Sequence, residues 1–573
     1  MSLSDHERVR ERRAKERWLF QPTHGGDVSV CLVYPNTYAV GMANLGYQAV
    51  LEILSTHPRV HCERAFLPDR DAQSSEVRSF ETGRSLGDFE MLAFSVSFET
   101  DYLHIVDLLA GAGIPAFREE RQGGPLLLCG GPATFLNPEP IADFFDLFLI
   151  GEGEEMIPEF LERYLAARDD RAGRDGVLDS VAGVAGAYRP DRYDVDYADD
   201  STVQSVRYVG PGVGVVERRM VEDLDRFPTA SRVLAPEAVF GDMFLVEASR
   251  GCEWGCRFCA AGYMYRPIRS RSTAVLEATA AEGLAERKTI GFVGAEMASV
   301  PGIAELCEFV TDRGGRPSPS SLKADVITKR LATALGRSAN QSVTVAPEAG
   351  SERMRRVINK NLTEPEILRA ADWLVGSGVR SMKLYFMVGL PTETHEDVEA
   401  IIDLTKKIRS RFDGERRVRR IALSINPFAP KPWTPLQWEP MEDVRSLKRK
   451  IEYLRRAVGP LPNVTIDVES PRESYYATLL SRGDRRVARL LVAIHEAGGD
   501  WWQVIRQWRT SDTAAFDPDV FVHRPYAYDE ILPWDFIDHS LHKRFLWVER
   551  ERAYDERQTM PCDVTSCRVC GAC

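Results

Sequence analysis

Short, unbroken apolar runs alternate with longer stretches of helical period along most of this chain. Between residues 27 and 165 the runs are Val28–Val33, Met91–Val96, Leu126–Cys129 and Phe144–Ile150, separated by helical patterns such as Ala43–Leu54 and Tyr102–Ala112. Apolar runs without polar alternation predict strands buried on both faces, as in a parallel sheet covered by helices. Polar or glycine-bearing turns follow the runs: Tyr34-Pro-Asn36, Ser95-Val-Ser-Phe-Glu99, Gly130-Gly-Pro132 and Gly151-Glu-Gly-Glu154. In open doubly wound sheets, ligands bind at that C-terminal edge. The alternation resumes at about residue 242 with six strand-like segments: Phe244–Ala248, Thr289–Val293, Ser321–Ala324, Ser342–Val345, Met382–Val388 and Ile421–Ile425. Helical patterns such as Thr273–Arg287 and Glu364–Val375 separate most of them. Repeated βα units of one hand predict a parallel barrel with its chemistry at the C-terminal strand ends.

The remaining segments are less regular. Residues 1–26 form a charged arm. Residues 166–241 read as an irregular connection, with charge-rich Arg168–Asp175 and the run Gly210-Pro-Gly-Val-Gly214, a weak phosphate-loop candidate because no helix clearly follows it. Residues 441–560 read as helical. There Arg445, Lys448, Arg449, Lys450, Arg455, Arg456 and Arg482-Gly-Asp-Arg-Arg486 lie near Trp501, Trp502 and Trp508. That combination suits phosphate contact and base stacking, and equally suits solvated helix faces around an aromatic core. The predicted fold class is α/β: a Rossmann-like doubly wound domain at 27–165, a barrel at 242–440, a mostly helical C-terminal region, and a cysteine-rich tail at 561–573.

Composition narrows the setting. A chain of 573 residues with 44% hydrophobic and 28% charged residues is long enough for several cored domains. No apolar stretch approaches the roughly 18 residues that span a bilayer, so a cytoplasmic protein without a membrane partner is expected. The net charge of -12 argues against general nucleic-acid binding. Eleven cysteines, gathered mainly in two clusters, fit reduced metal-ligating thiols better than a disulfide framework.

The first cluster, Cys252, Cys256 and Cys259, lies in Arg250-Gly-Cys-Glu-Trp-Gly-Cys-Arg-Phe-Cys directly after the first barrel strand. Gly251 and Gly255 allow the backbone to wrap tightly, so three thiolates can converge on one centre. Three ligands leave one iron of a [4Fe-4S] cluster open to a cofactor carrying its own amine and carboxylate. A zinc site short of one ligand, or a disulfide with a spare thiol, are the other readings. The second cluster, Cys562, Cys567, Cys570 and Cys573, is spaced C-x4-C-x2-C-x2-C. Four thiols suffice to close a zinc site or to ligate a second [4Fe-4S] cluster.

The C-x3-C-x2-C spacing, with Phe258 before the third cysteine, resembles the signature of the radical S-adenosylmethionine (SAM) enzymes. The resemblance implies a partial (β/α)6 TIM barrel and reductive cleavage of SAM at a [4Fe-4S] cluster, giving a 5′-deoxyadenosyl radical that attacks a substrate. It further implies that Gly294-Ala-Glu-Met297, similar to the family's Gly-Gly-Glu-Pro motif, receives the SAM amine through Gly294 and Glu296. Glu348 would hold ribose hydroxyls, and Arg353 or Lys383 the methionine carboxylate. Gly389, in Val388-Gly-Leu-Pro391, would shape a turn beside the adenine.

The N-terminal segment resembles the cobalamin-binding-type Rossmann domain of many relatives through Gly130-Gly-Pro132 and Gly151-Glu-Gly153. The Asp-x-His-x-x-Gly motif of many cobalamin proteins is absent, its place taken by Tyr34-Pro-Asn-Thr-Tyr-Ala-Val-Gly41. The alternative is a vestigial domain that shapes the substrate cleft. The run from Ser320-Ser-Leu-Lys-Ala-Asp325 through Asn426-Pro-Phe-Ala-Pro-Lys-Pro432 and Thr434-Pro-Leu-Gln-Trp438 looks like cobalamin-domain-containing radical SAM proteins of uncharacterised function, and more distantly like methylthiotransferases, a likeness that covers most of residues 27 to 440. Methyl or methylthio transfer is therefore among the expected outcomes. Expected partners are SAM, a reductant such as flavodoxin or ferredoxin, and a protein, RNA or small-molecule substrate. A non-catalytic iron-sulfur carrier or sensor that retains the barrel is the alternative, and the acids Glu296 and Glu348 favour the enzyme.

Overall fold

The computed structural model describes residues 3–23, 25–69, 75–211, 214–337, 342–411, 420–511 and 514–573. Gly212 and Val213 of the glycine-rich run lie outside the described residues. In the N-terminal region, strands β1 (Val28–Thr37), β2 (Val60–Leu67), β3 (Met91–Ser95), β4 (Leu126–Gly130), β5 (Leu147–Leu149) and β6 (Ala187–Tyr188) form one sheet. Their spatial order is β2-β1-β3-β4-β5-β6, parallel except for β6. The chain reverses direction of winding between β1 and β3, which makes that point the topological switch. Helices α1 (Leu45–Thr56) and α3 (Gly153–Asp169) cover one face, and α2 (Tyr102–Gly111) covers the other.

The second parallel system has seven strands in two sheets. β7 (Met243–Glu247), β8 (Thr289–Val293) and β9 (Arg316–Pro319) form one, in that order. β10 (Ser342–Glu348), β11 (Ser381–Val388), β12 (Arg420–Pro427) and β13 (Val464–Val468) form the other. Among the described residues, one parallel bridge, Leu322 to Val345, links the two sheets across the seam, as in an open partial barrel. Side chains alternate across it: Met382, Leu384, Ile421 and Leu423 pack into the core, while Lys383 and Tyr385 occupy the opposite face of β11.

Two expectations need correction. The third barrel strand is Arg316–Pro319, not Ser321–Ala324; Ala324–Val326 is a turn of 3-10 helix. The prolines fit because β9 is the edge of its sheet. Arg316 and Ser320 donate their N–H groups to Lys288 and Phe292, leaving the positions of Pro317 and Pro319 to face the seam, where no donor is required. Phe144 lies at the end of a 3-10 helix rather than in β5.

The C-terminal region is not a separate body. α4 (Val487–Glu496) packs on α2, and α5 (Lys543–Tyr554) packs against the short helix Glu352–Val357 of the barrel. Arg482 is fully buried and donates to the Glu439 carbonyl, Arg485 pairs with Glu139 at 2.9 Å, and Arg486 pairs with Asp484 at 2.7 Å. Trp501 stacks on Tyr476 at 4.7 Å, and Trp502 meets Tyr475 edge-on. Arg482-Gly-Asp-Arg-Arg486 and the tryptophans thus build a core, as the aromatic-core reading expects. No helix among the described residues is long and apolar enough to cross a membrane.

Candidate active site

The first cysteine set sits on a loop clasped at its base. After β7, Ser249–Arg250 pairs antiparallel with Arg269–Ser270, so residues 251 to 268 leave and re-enter the fold at one place. Gly251 has φ +81°, and a Cβ there would stand 2.7 Å from the Tyr265 carbonyl oxygen. No larger residue makes that turn without displacing the loop. The N-terminal sheet holds the clasp in place: Glu152 binds both Arg250 (3.0 Å) and Arg269 (2.6 Å), and Glu154 also binds Arg250. The Gly151-Glu-Gly-Glu154 turn therefore joins the two parallel systems through its carboxylates.

Within the loop, the Gly255 carbonyl accepts from Asn359 Nδ2 (3.0 Å) and from the Tyr263 hydroxyl (3.1 Å). Asn359 is in the left-handed region at φ +54°, which asparagine tolerates better than most residues. Arg257 has no exposed surface and is held by Glu549 at 3.2 Å and by the carbonyls of Arg356, Val357 and Arg557. Phe258 packs against the cluster containing Met354, Ile358, Met387 and Leu436. Lys323 Nζ lies 3.6 Å above the Trp254 ring, whose Nε1 donates to Ser299. Sequence reasoning gave no role to Arg257, Asn359 or Lys323, because Glu549, the Gly255 carbonyl and the Trp254 ring become their partners only in the folded chain.

The three thiols perturb one another. Burial, and then Cys256, push Cys252 up to about 12; burial pushes Cys256 up to about 11 against the pull of the Lys360 ammonium; burial also raises Cys259. Lys360 remains a cation although burial opposes its charge, because Glu348 at 3.4 Å and the thiols Cys256 and Cys259 favour it. Glu348 closes β10 after a bulge at φ +67°, a strained conformation for a non-glycine residue. Among the described residues, no group of three or more His, Cys, Asp or Glu side chains stands in metal-holding geometry.

The other predicted contacts divide into two sets. Glu296 lies at the C-terminal end of β8 beside Cys252, and its carboxylate accepts from the N–H groups of Ala298 and Ser299 (2.7 Å each) and Lys323 (3.0 Å). Gly294 packs its missing side chain toward Ser249 and Met297, and its carbonyl accepts from Ser320. Lys383 lies over the Tyr385 ring at 4.8 Å. Arg353, by contrast, is taken up by Asp397, the Thr392 carbonyl (2.7 Å) and Glu556 (3.4 Å). Gly389, at φ +81°, donates to Glu393 and lies under Leu447 and Glu442. Both fix the turn after β11.

The cysteine-rich tail returns to the same loop. Cys562 N donates to the Glu253 carbonyl (2.8 Å), Thr559 N to Asn359 Oδ1 (2.8 Å), and Asn361 Nδ2 to the Thr559 carbonyl (2.8 Å). A cavity of about 510 Å³ lies alongside. It runs between the sheet face bearing Leu32 and Ala93 and helices α1 and α3, and extends to Arg250, Gly251, Tyr265 and Gly294. It contains no histidine.

Two family models match the chain: "Radical SAM proteins, N-terminal" over residues 46–190, and "Radical SAM superfamily" over residues 246–405. An uncharacterized protein of Methanocaldococcus jannaschii is 29% identical over 469 residues, 81% of this chain and 90% of that protein. Solved structures with likeness include the radical SAM methyltransferase TsrM from Kitasatospora setae with cobalamin and a [4Fe-4S] cluster bound. It is 14% identical at TM-score 0.47, covering 93% of this chain and all of that one. The cobalamin-dependent radical SAM enzyme OxsB, with aqua-cobalamin and SAM bound, is 12% identical at TM-score 0.48, covering 92% of this chain and 79% of that one.

Proposed function

Because the chain belongs to the radical SAM superfamily and is one of its enzymes, we propose that Cys252, Cys256 and Cys259 hold a [4Fe-4S] cluster at which SAM is reductively cleaved. The observation that carries this reading is the clasped loop: three neighbouring thiols, Cys256 buried and Cys252 and Cys259 half-buried, at the C-terminal mouth of an open parallel barrel, with Lys360 beside two of them. The donor set fits the group, since thiolates are the usual cluster ligands and Lys360 offsets their charge when they deprotonate. When bound, the cluster supplies one electron to the SAM sulfonium and so releases the 5′-deoxyadenosyl radical.

The chain's own residues bind and orient. Gly294 and Glu296 present the β8 turn to the SAM amine, Glu348 faces the ribose, Lys383 meets the carboxylate, and Phe258 supplies an apolar wall. Tyr263 and Asn359 hold the Gly255 carbonyl, which fixes the spacing between Cys252 and Cys256.

The cavity favours a second cofactor, cobalamin, for methyl or methylthio transfer. It is largely apolar, lies at the switch-point side of the sheet, and is continuous with the cysteine loop. Leu32, Ala93, Val50, Ile53, Met156 and Ile157 would hold cobalamin there, and it would supply methyl-transfer chemistry. The test is anaerobic reconstitution with iron and sulfide, followed by assay of 5′-deoxyadenosine from SAM and dithionite. The wild type should form it, and Cys256→Ala should not; a fully loaded wild type that makes none would overturn the reading. Ala93→Phe should abolish cobalamin retention while leaving iron content unchanged. Equal cobalamin retention by the two proteins would exclude the cavity as its site.

A further inference from the structure

Cys562, Cys567, Cys570 and Cys573 take no part in the chemistry above, yet the tail that carries them is docked on the fold through the backbones of Cys562 and Cys570. Cys570 is 3% exposed and belongs to the main apolar core, and its carbonyl accepts from His542 N at 2.9 Å. Gly571 passes His542 at φ +96°; a Cβ there would stand 2.8 Å from His542 Nε2, so the chain is fitted tightly at this point. Cys562 lies within electrostatic reach of Cys567, Cys570 and Cys573. The Arg266 guanidinium reaches the Cys570 sulfur and also influences Cys562. Arg266 belongs to the first cysteine loop, where its Nε donates to the Gly262 carbonyl at 2.8 Å.

We propose that these four cysteines are the ligands of a second metal site, placed against the loop of the first. Four thiolates around a divalent ion, or around a [4Fe-4S] cluster, carry net negative charge; Arg266, 6% exposed, is the cation positioned to offset it. A closed thiolate set leaves no coordination position for substrate. The role is therefore to lock residues 559–562 onto Glu253 and Asn359. The proposal does not depend on SAM cleavage, because the test removes the first site.

The full chain carrying Cys252→Ala, Cys256→Ala and Cys259→Ala is purified anaerobically. It is loaded in one arm with Zn²⁺ and in the other with Fe²⁺ and sulfide, and bound metal and sulfide are counted. One metal centre per chain should remain, and should disappear when Cys567→Ser and Cys570→Ser are added. The arm that retains metal after gel filtration identifies the occupant. Binding no greater than that of a chain lacking all seven cysteines overturns the proposal. Should the multiple variants misfold, wild-type protein is alkylated with and without a chelator and the tail peptides are analysed by mass spectrometry. Metal-dependent protection of Cys562, Cys567 and Cys570 supports the site, and equal labelling sinks it.

Discussion

Glu296 shows how much of this site depends on single hydrogen-bonding groups. Its two oxygens accept three backbone N–H groups and thereby set the conformation of the turn after β8. Glu296→Gln turns one acceptor into a donor that faces a donor, so about 1–3 kcal/mol of stability should be lost in urea unfolding. SAM affinity measured by calorimetry should fall with it, whereas Glu296→Asp should weaken SAM binding with a smaller loss of stability. Unchanged stability in Glu296→Gln would mean that the carboxylate is free for ligand rather than committed to the turn. The cysteine triplet was legible in the sequence because its three members lie within eight residues of one loop. The partners of Arg353 and Gly389 were not, because Asp397, Glu556 and Glu442 become their neighbours only through tertiary packing.

At the scale of elements, legibility followed the purity of the apolar pattern. Five of the six expected barrel strands overlap observed ones, since continuous apolar runs are what a strand buried on both faces requires. β2 was missed because Glu63 and Arg64, each 1% exposed, interrupt its run; Glu63 binds Thr82, and Arg64 binds Glu16 and Glu81. β13 was missed because it is an edge strand whose side chains alternate between half-buried and exposed. The element of most consequence for the site is α5, whose Glu549 reaches Arg257 inside the cysteine loop at 3.2 Å. Glu549→Ala strands a buried guanidinium, and should cost about 3–5 kcal/mol in denaturant unfolding and lower the iron retained after reconstitution. Glu549→Gln, which keeps an acceptor, should lose less of both; equal losses in the two variants would show that the charge is immaterial.

For the whole molecule, His539 marks where the parts meet. It is 1% exposed, its Nε2 hydrogen-bonds the Phe135 carbonyl at 2.7 Å, and its ring meets Trp433 of the barrel at 4.7 Å. Burial, reinforced by the Arg218 charge, pushes it down to about 3. Below the unfolded value near 6.5, the unfolded chain takes up a proton that the folded chain refuses. Stability from this group is thus complete above pH 6.5 and is lost progressively as pH falls toward 3. At pH 5 the loss from His539 should be about 2 kcal/mol. Urea unfolding at pH 7.5 and 5.0 should show a smaller drop for His539→Gln, whose amide can still donate to Phe135; an equal drop would assign the acid sensitivity elsewhere.

The clamp on the cysteine loop also orders events during synthesis. Arg257 is held by the carbonyl of Arg557, 300 residues later in the chain. At typical translation rates of 5–20 residues per second, roughly 15 to 60 s separate the emergence of Cys252, Cys256 and Cys259 from that of the segment that holds Arg257 between them. Throughout that interval the three thiols belong to a nascent chain without this clamp. A cluster delivered to them, as proposed above, would meet the loop before the clamp forms, and oxidants have the same interval.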